Sequence, residues 1–308
     1  MRAHGILTSY RAQIMSALHF TTLDVFTSSR FSGNPLAIVH VPKDLKNVLS
    51  QTQKQMIARE FNLSETVFIH EGNPDEPIDI NIFTTDAELP FAGHPSIGSG
   101  WYLLSQYPER DRVTLRTKAG DIPVVKSGIG KVRLQIPINF KAHPHYAHPR
   151  VKVLQPHLKD SDYVNGLEGP EAVASIVKGM TFLVLQLTSE DALARLQPPP
   201  ERLSVPGLGE WDGFVALYYF YKRKDGVLRT RMFDGSLEDP ATGSATAALA
   251  AWLAKDREQG VWQFNVVQGV EMGRRSELEA MVEVNASGKV EKVELGGSAV
   301  EIMAGRLL

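Results

Sequence analysis

Phe83-Thr84-Thr85-Asp86-Ala87-Glu88-Leu89-Pro90-Phe91-Ala92-Gly93 and Phe233-Asp234-Gly235-Ser236-Leu237-Glu238-Asp239-Pro240-Ala241-Thr242-Gly243 carry one skeleton at one spacing. Phe, Glu, Pro and Gly recur at an offset of 150 (233 − 83, 238 − 88, 240 − 90, 243 − 93), about half of the 308 residues. Each copy leads into a segment that reads as a helix, Pro95 to Gln106 after the first and Ser244 to Lys255 after the second. Such a repeat predicts a duplicated domain whose halves each aim a glycine-bearing loop and a helix start at a shared cleft. Free backbone N–H groups and the positive end of the helix dipole suit that arrangement to a small anionic substrate. Chance likeness is the competing explanation, because Gly and Pro are common in any turn.

The composition is that of an ordinary globular chain, 43% hydrophobic and 22% charged, and 308 residues are enough for two domains with cores of their own. A net charge of −2 gives no overall attraction to nucleic acid or to an anionic membrane surface. No apolar run approaches the ~18 residues of a spanning helix, so no membrane partner is expected. Cysteine is absent, which excludes disulfides, thiolate metal sites and proton transfer by a thiolate. The lack of cysteine is compatible with the cytoplasm, the expected location. Arg2 and Arg11 precede the first acid, Asp24, giving a faint likeness to a mitochondrial presequence. Met15 is an alternative start, and residues 1–14 are expected to be a disordered, dispensable extension.

Beyond that, strands and helices alternate. Leu18 to Phe26, Leu36 to Val41, Val67 to His70, Ile78 to Phe83, Val113 to Arg116 and Val132 to Ile136 read as strands, with a hairpin turn at Gly128 to Gly130. Leu49 to Phe61 reads as a helix ending at Asn62. In the second half, Ala172 to Val177 reads as a helix, Phe182 to Leu187 and Phe214 to Tyr221 as strands, and Ser189 to Leu196 as a helix capped by Ser189. Lys141 to Pro149 reads as a Pro-rich connection. These elements predict two similar α+β halves, 15–130 and 131–308, with the last strand packing on the first domain as an option.

Five residues invite chemical roles. His94 beside a helix start can donate to a substrate carboxylate or hydrogen-bond its own loop, and Pro95 suits the first helical position. Asp239 can accept a proton, hold an ammonium group or offset the helix dipole. Ser244 can cap its helix or bind substrate, and Gly243 permits close backbone approach. Glu65 taken alone reads as an exposed turn carboxylate, because Glu is seldom buried without a partner. Its equivalent at the 150-residue offset is Val215, so any role it has is unduplicated.

Asn62-Leu63-Ser64-Glu65-Thr66, Glu88-Leu89-Pro90-Phe91-Ala92-Gly93-His94-Pro95 and Glu238-Asp239-Pro240-Ala241-Thr242-Gly243-Ser244-Ala245 together resemble the signature set of the PhzF-like phenazine-biosynthesis proteins, relatives of diaminopimelate epimerase. Phe31-Ser32-Gly33-Asn34-Pro35 and Gln268-Gly269-Val270-Glu271-Met272-Gly273-Arg274 extend the resemblance from about Leu18 to the C-terminus. It implies an α+β, diaminopimelate-epimerase-like fold of two pseudo-symmetric domains, each a sheet wrapped around a central helix, with the active site in the cleft between them. It also implies an isomerase that uses no cofactor and no metal, acts on a small anionic metabolite and forms a homodimer. In the epimerases and proline racemases of the superfamily two cysteines exchange the proton; this chain has none and cannot use that route. In the PhzF-like pattern the proton shuttle is the glutamate matching Glu65, with residues matching His94, Asp239 and Ser244 around the substrate. Glu65, Asp239 and His94 are therefore the candidate catalytic residues, and Gly93, Ser96, Gly243 and Ser244 the candidate substrate contacts. The short Phe233 to Glu238 loop and Arg275, where proline is common, depart from the pattern and bear on substrate identity more than on chemistry.

The mechanism that this implies has Glu65, desolvated, lifting a proton from carbon and returning it at another carbon, while helix-start N–H groups, His94 and Ser244 receive the developing negative charge. Other chemistries fit less well. Ser99 stands where a P-loop needs lysine, and no Gly-x-Gly-x-x-Gly fingerprint follows a strand. Ser244 lacks the Gly-x-Ser-x-Gly elbow of a hydrolase. His143, His145 and His148 lack a matching carboxylate and read as a solvated loop rather than a metal site. A catalytically silent protein of the same fold, binding a metabolite or a partner, is the alternative from another class.

Overall fold

The computed structural model describes residues 18–308, so residues 1–14, expected to be an extension, lie outside the described residues. The chain forms two compact units: one made of residues up to Phe31, Pro35–Leu134 and Gly297–Leu308, the other of Ser32–Asn34 and Gln135–Gly296. Among the described residues the α-helices are α1 (Gln51–Phe61), α2 (Gly93–Gln106), α3 (Glu190–Ala194) and α4 (Gly243–Ala254).

In the first unit, strand His19–Val25 pairs antiparallel with residues 299–306 of the last strand. Residues 37–41 run parallel to Thr66–His70, which pairs antiparallel with Ile78–Phe83. That strand runs parallel to Arg112–Thr117, and two hairpins continue through Gly120–Gly128 to Lys131–Gln135. In the second unit, Met180–Gln186 runs parallel to Phe214–Lys222, which pairs antiparallel with Leu228–Asp234. This strand runs parallel to Gly260–Gln268, followed by antiparallel Ser276–Val284 and then residues 290–296. Over these strands the order of parallel and antiparallel pairings is the same in both units, which is the duplication that the 150-residue repeat predicts.

Each sheet wraps a buried helix, and the residues of the helix show why it fits there. A Cβ on Gly98 of α2 would lie 2.5 Å from Leu36 Cδ2 and 2.8 Å from Val25 Cγ2, while one on Gly100 would lie 2.6 Å from Val124 Cγ1. Two residues along a helix turn by ~200°, so these glycines let strands close on opposite faces of α2. In α4 alanine does the same work: Ala245, Ala247, Ala248, Ala250, Ala251 and Ala254 are fully buried. Helix α1 packs on the outside and has conventional ends: the Ser50 hydroxyl accepts from the Gln53 N–H, and Asn62 adopts the left-handed conformation, φ 49°. Among the described residues no helix is long and apolar enough to cross a membrane.

Three local expectations are corrected. Residues Glu171–Val177 form a strand, not a helix; Ala172 to Ile176 are all buried, as a short, largely apolar run with β-branched residues fits when both faces are covered. Lys141–Tyr146 is likewise a strand, paired antiparallel with Glu171–Val177. Its register slips between His143 and Tyr146, and an extra residue at that point accommodates Pro144, which has no N–H to give the ladder. Pro95 is the third residue of α2, because the helix starts at Gly93. Proline costs no hydrogen bond anywhere in a first turn.

Candidate active site

Both copies of the repeat build the same local structure. Phe83 pairs with Glu88 and Ile82 with Leu89; Phe233 pairs with Glu238 and Met232 with Asp239. In each hairpin the residue seven before the glutamate anchors it. Asn81 Nδ2 donates to Glu88 Oε1 at 2.8 Å, and the Arg231 guanidinium donates to both oxygens of Glu238 at 2.7 and 2.8 Å. These two glutamates are thus fixtures of the hairpins that deliver the chain to α2 and α4.

Neither helix start is capped by a side chain. Ala92 at the start of α2 has no group to offer. Thr242 at the start of α4 could cap, but its hydroxyl donates to Asp239 Oδ2 at 2.6 Å instead. Both first turns therefore present backbone donors with a partial positive charge.

In the first unit, Glu65 and His94 come together. Glu65 sits between the left-handed Asn62 that ends α1 and the strand that begins at Thr66. His94 is the second residue of α2, and its Nδ1 lies 3.5 Å from Glu65 Oε2. The side chains are 17% and 5% exposed, so Glu65 is not the solvated turn carboxylate that its type alone suggests. Burial pushes its pKa up, with the Ser64 hydroxyl pulling weakly the other way. The ladders also revise its repeat equivalent. Phe83 faces Thr66 whereas Phe233 faces Leu217, so the residue matching Glu65 is Ala216, one place beyond Val215. In either alignment the carboxylate is unduplicated. Ser96, a candidate substrate contact, is fully buried and donates its hydroxyl to Ala92 O at 2.7 Å, which occupies the side chain within its own helix.

In the second unit, Asp239, Gly243 and Ser244 belong to one tightly braced loop. Asp239 Oδ1 accepts from Asn34 Nδ2 at 2.8 Å, and Oδ2 accepts from Thr242. Fully buried Gln268 donates through Nε2 to Asp239 O at 2.7 Å and to Thr242 Oγ1 at 3.0 Å, and its Oε1 accepts from the Thr242 N–H and from Tyr218. Burial pushes the Tyr218 hydroxyl up, so it remains a donor. The Arg274 guanidinium donates to Ser32 O and Gly33 O at 2.8 Å, placing Asn34 for its contacts with Asp239 and with Ala241 O. Ser244, the second residue of α4, is half-buried, and its hydroxyl makes no hydrogen bond among the described residues. Asn34 and Gln268 lie within recognisable motifs, but their bracing roles depend on contacts across more than 200 and 25 residues of chain, which local sequence does not reveal.

The three histidines considered for a metal are separately employed. His143 Nε2 meets Ser175 Oγ at 2.8 Å, the His145 ring packs on Trp252, and His148 Nδ1 accepts from the N–H groups of Arg150 and Val151. No group of His, Asp and Glu suited to a metal ion occurs among the described residues.

Paired units of this construction define a diaminopimelate-epimerase-like fold. The hydroxyproline epimerase from Agrobacterium vitis shares it, with a TM-score of 0.59 at 14% identity, covering 94% of this chain and 92% of that one. A Bacillus anthracis phenazine biosynthesis protein of the PhzF family matches with a TM-score of 0.77 at 21% identity, over 94% of this chain and 99% of that one. In sequence, the trans-2,3-dihydro-3-hydroxyanthranilate isomerase of Pseudomonas aeruginosa is 32% identical over 296 residues, covering 93% of this chain and 98% of the relative. The profile of the phenazine biosynthesis-like protein family matches residues 23–305. The chain belongs to this PhzF-like family, and it is an isomerase.

Proposed function

We propose that this isomerase moves a proton between two carbons of a small carboxylate-bearing metabolite, with Glu65 as the group that removes the proton and returns it. The observation that carries this is the setting of Glu65: a single, unduplicated carboxylate, made more basic by burial and 3.5 Å from the imidazole of His94. A weakly acidic C–H needs a base of that kind, and a low-polarity setting keeps it from being levelled by water. When the proton leaves, negative charge spreads toward the substrate's carboxylate or conjugated system. We assign its stabilisation to His94 and to the uncapped first-turn N–H groups of α2, with Gly93 contributing a backbone donor. In the second unit Asp239, bonded to Asn34 and Thr242, holds the loop that leads into α4 in position. The proton then returns from Glu65 to a second carbon, and the reaction is redox-neutral.

The Pseudomonas aeruginosa relative is named for trans-2,3-dihydro-3-hydroxyanthranilate, so that compound is the first substrate to test. In heavy water the protein should incorporate deuterium into the product, and Glu65→Gln should abolish the incorporation. A Glu65→Gln protein that turns over at near the unmodified rate rules out Glu65 as the shuttle. Absence of exchange with any of a panel of cyclic amino and hydroxy acids favours a catalytically silent binding protein instead.

A further inference from the structure

Helix α2 carries His94 near its start and lines a separate cavity near its end. Tyr102, Leu103 and Tyr107 line a space of about 430 Å³ together with His40, His70 and Ile78. All belong to the first unit. Nine residues of helix, ~14 Å of rise, separate Leu103 from His94, so this space is distinct from the Glu65 centre. Its volume falls within the range of small-molecule sites, roughly 300–1,000 Å³.

The polar groups of this cavity define what it would hold. Asn81 Nδ2 donates to Glu88 Oε1 at 2.8 Å, which turns Asn81 Oδ1 toward Lys54 Nζ at 2.5 Å and His70 Nε2 at 2.8 Å. Nε2 also lies 3.3 Å from Lys54 Nζ, but the shorter 2.8 Å contact to a carbonyl oxygen, which only accepts, needs a donor; Nε2 is therefore assigned the His70 proton and Nδ1 is left as an acceptor. His70 is 5% exposed, and Nδ1 is buried with no partner among the described residues. An unmet acceptor of this kind is costly unless something supplies the donor. Burial lowers the pKa of His70, against the pull of Asn81, and lowers that of His40, so both rings are neutral at pH 7. Apart from these histidines, Glu71 is the one acidic or basic side chain in the lining, and the two cations whose charge reaches His70 are offset by carboxylates, Lys54 by Glu88 and Lys46 by Asp79, so no net positive charge invites an anion. The remaining walls are aromatic and aliphatic, with the His40 and Tyr102 rings 5.2 Å apart.

We propose that this cavity is a second ligand site, for a small uncharged aromatic molecule that offers an N–H or O–H to His70 Nδ1. Such a ligand differs in charge from the carboxylate-bearing substrate, and its binding does not depend on the assignment of Glu65.

The test is a titration of the full chain with indole, an uncharged aromatic N–H donor, followed by amide NMR. Benzoate, a similar ring with a negative charge, serves as the comparison. Saturable shifts at Tyr102, Leu103 and Tyr107 are expected with indole and not with benzoate. His70→Phe keeps a ring but removes the acceptor, and should weaken indole more than tenfold. Because that change also disturbs Asn81, Gly72→Leu is the second variant. A Cβ on Gly72 meets only ordinary contacts, 3.8 Å from His70 O and 3.9 Å from Ile78 Cγ1, so the fold can accept a side chain at this rim. It too should weaken indole more than tenfold, whereas Glu65→Gln should bind indole like the unmodified protein. No saturable shift at the three α2-end residues, equal binding of benzoate, undiminished binding by Gly72→Leu, or loss of indole in Glu65→Gln each overturns the proposal.

Discussion

Nδ1 of His94 lies 3.5 Å from Oε2 of Glu65, joining the second residue of a buried helix to a carboxylate that sits just ahead of a central strand. The contact connects the fold with the proposed chemistry, because the helix start that can receive negative charge and the base that would create it are adjacent.

Glu65→Gln tests whether burial of this carboxylate is tolerated for function. Its pKa is raised above the ordinary 4.5, so the folded state holds the proton more firmly than the unfolded chain. Ionising Glu65 therefore costs stability, a cost absent below pH 4.5 and growing as pH rises through the folded value. The Gln variant should unfold at a higher temperature than the parent at pH 7–8, with the difference closing toward pH 4, while turnover falls by about 10²–10⁴-fold. A lower melting temperature at neutral pH would show that the charge is compensated in the folded protein.

The pH dependence of turnover follows from the same shift. A base must be deprotonated to act, so kcat/KM should fall on the acid side through an apparent pKa above 4.5. A profile flat down to pH 4.5 is incompatible with Glu65 as the base in this setting.

Gln268→Ala should destabilise the protein by about 2–4 kcal/mol, because it strands the buried Thr242 N–H and removes the bonds to Asp239 O and Tyr218. Chemical denaturation measures the loss. A change below ~0.5 kcal/mol would mean that water replaces the amide, and that the loop is braced by Asn34 alone.

Gly100→Ala brings a methyl group to 2.6 Å from Val124 Cγ1 and should cost about 1–3 kcal/mol. Trimming Val124 to alanine in the same protein should recover part of that cost, so the double mutant is expected to be non-additive. Additive losses would place the damage elsewhere on α2.

Much of this was legible because the repeat is local. Phe, Glu, Pro and Gly at one spacing specify a hairpin and a turn into a helix, and both hairpins form with identical pairing. The errors have physical causes too. Ala172 to Val177 misled because a short, largely apolar run fits a buried strand and a buried helix equally, and only its neighbours, Met180–Gln186 and Lys141–Tyr146, decide between them. The one-residue shift that replaces Val215 by Ala216 as the match to Glu65 is a matter of ladder register, which the sequence offset cannot resolve.

By itself the sequence determined the duplication, the absence of thiol chemistry and the residues that carry the family likeness, because these depend on residue identity and short-range spacing. Tertiary structure alone decided that Glu65 is buried beside His94, that Thr242 spends its hydroxyl on Asp239 rather than on its helix, and that Asn34 and Gln268 hold the second loop. Those outcomes depend on which groups burial excludes from water and which distant partners then satisfy them, and neither is written in local order along the chain.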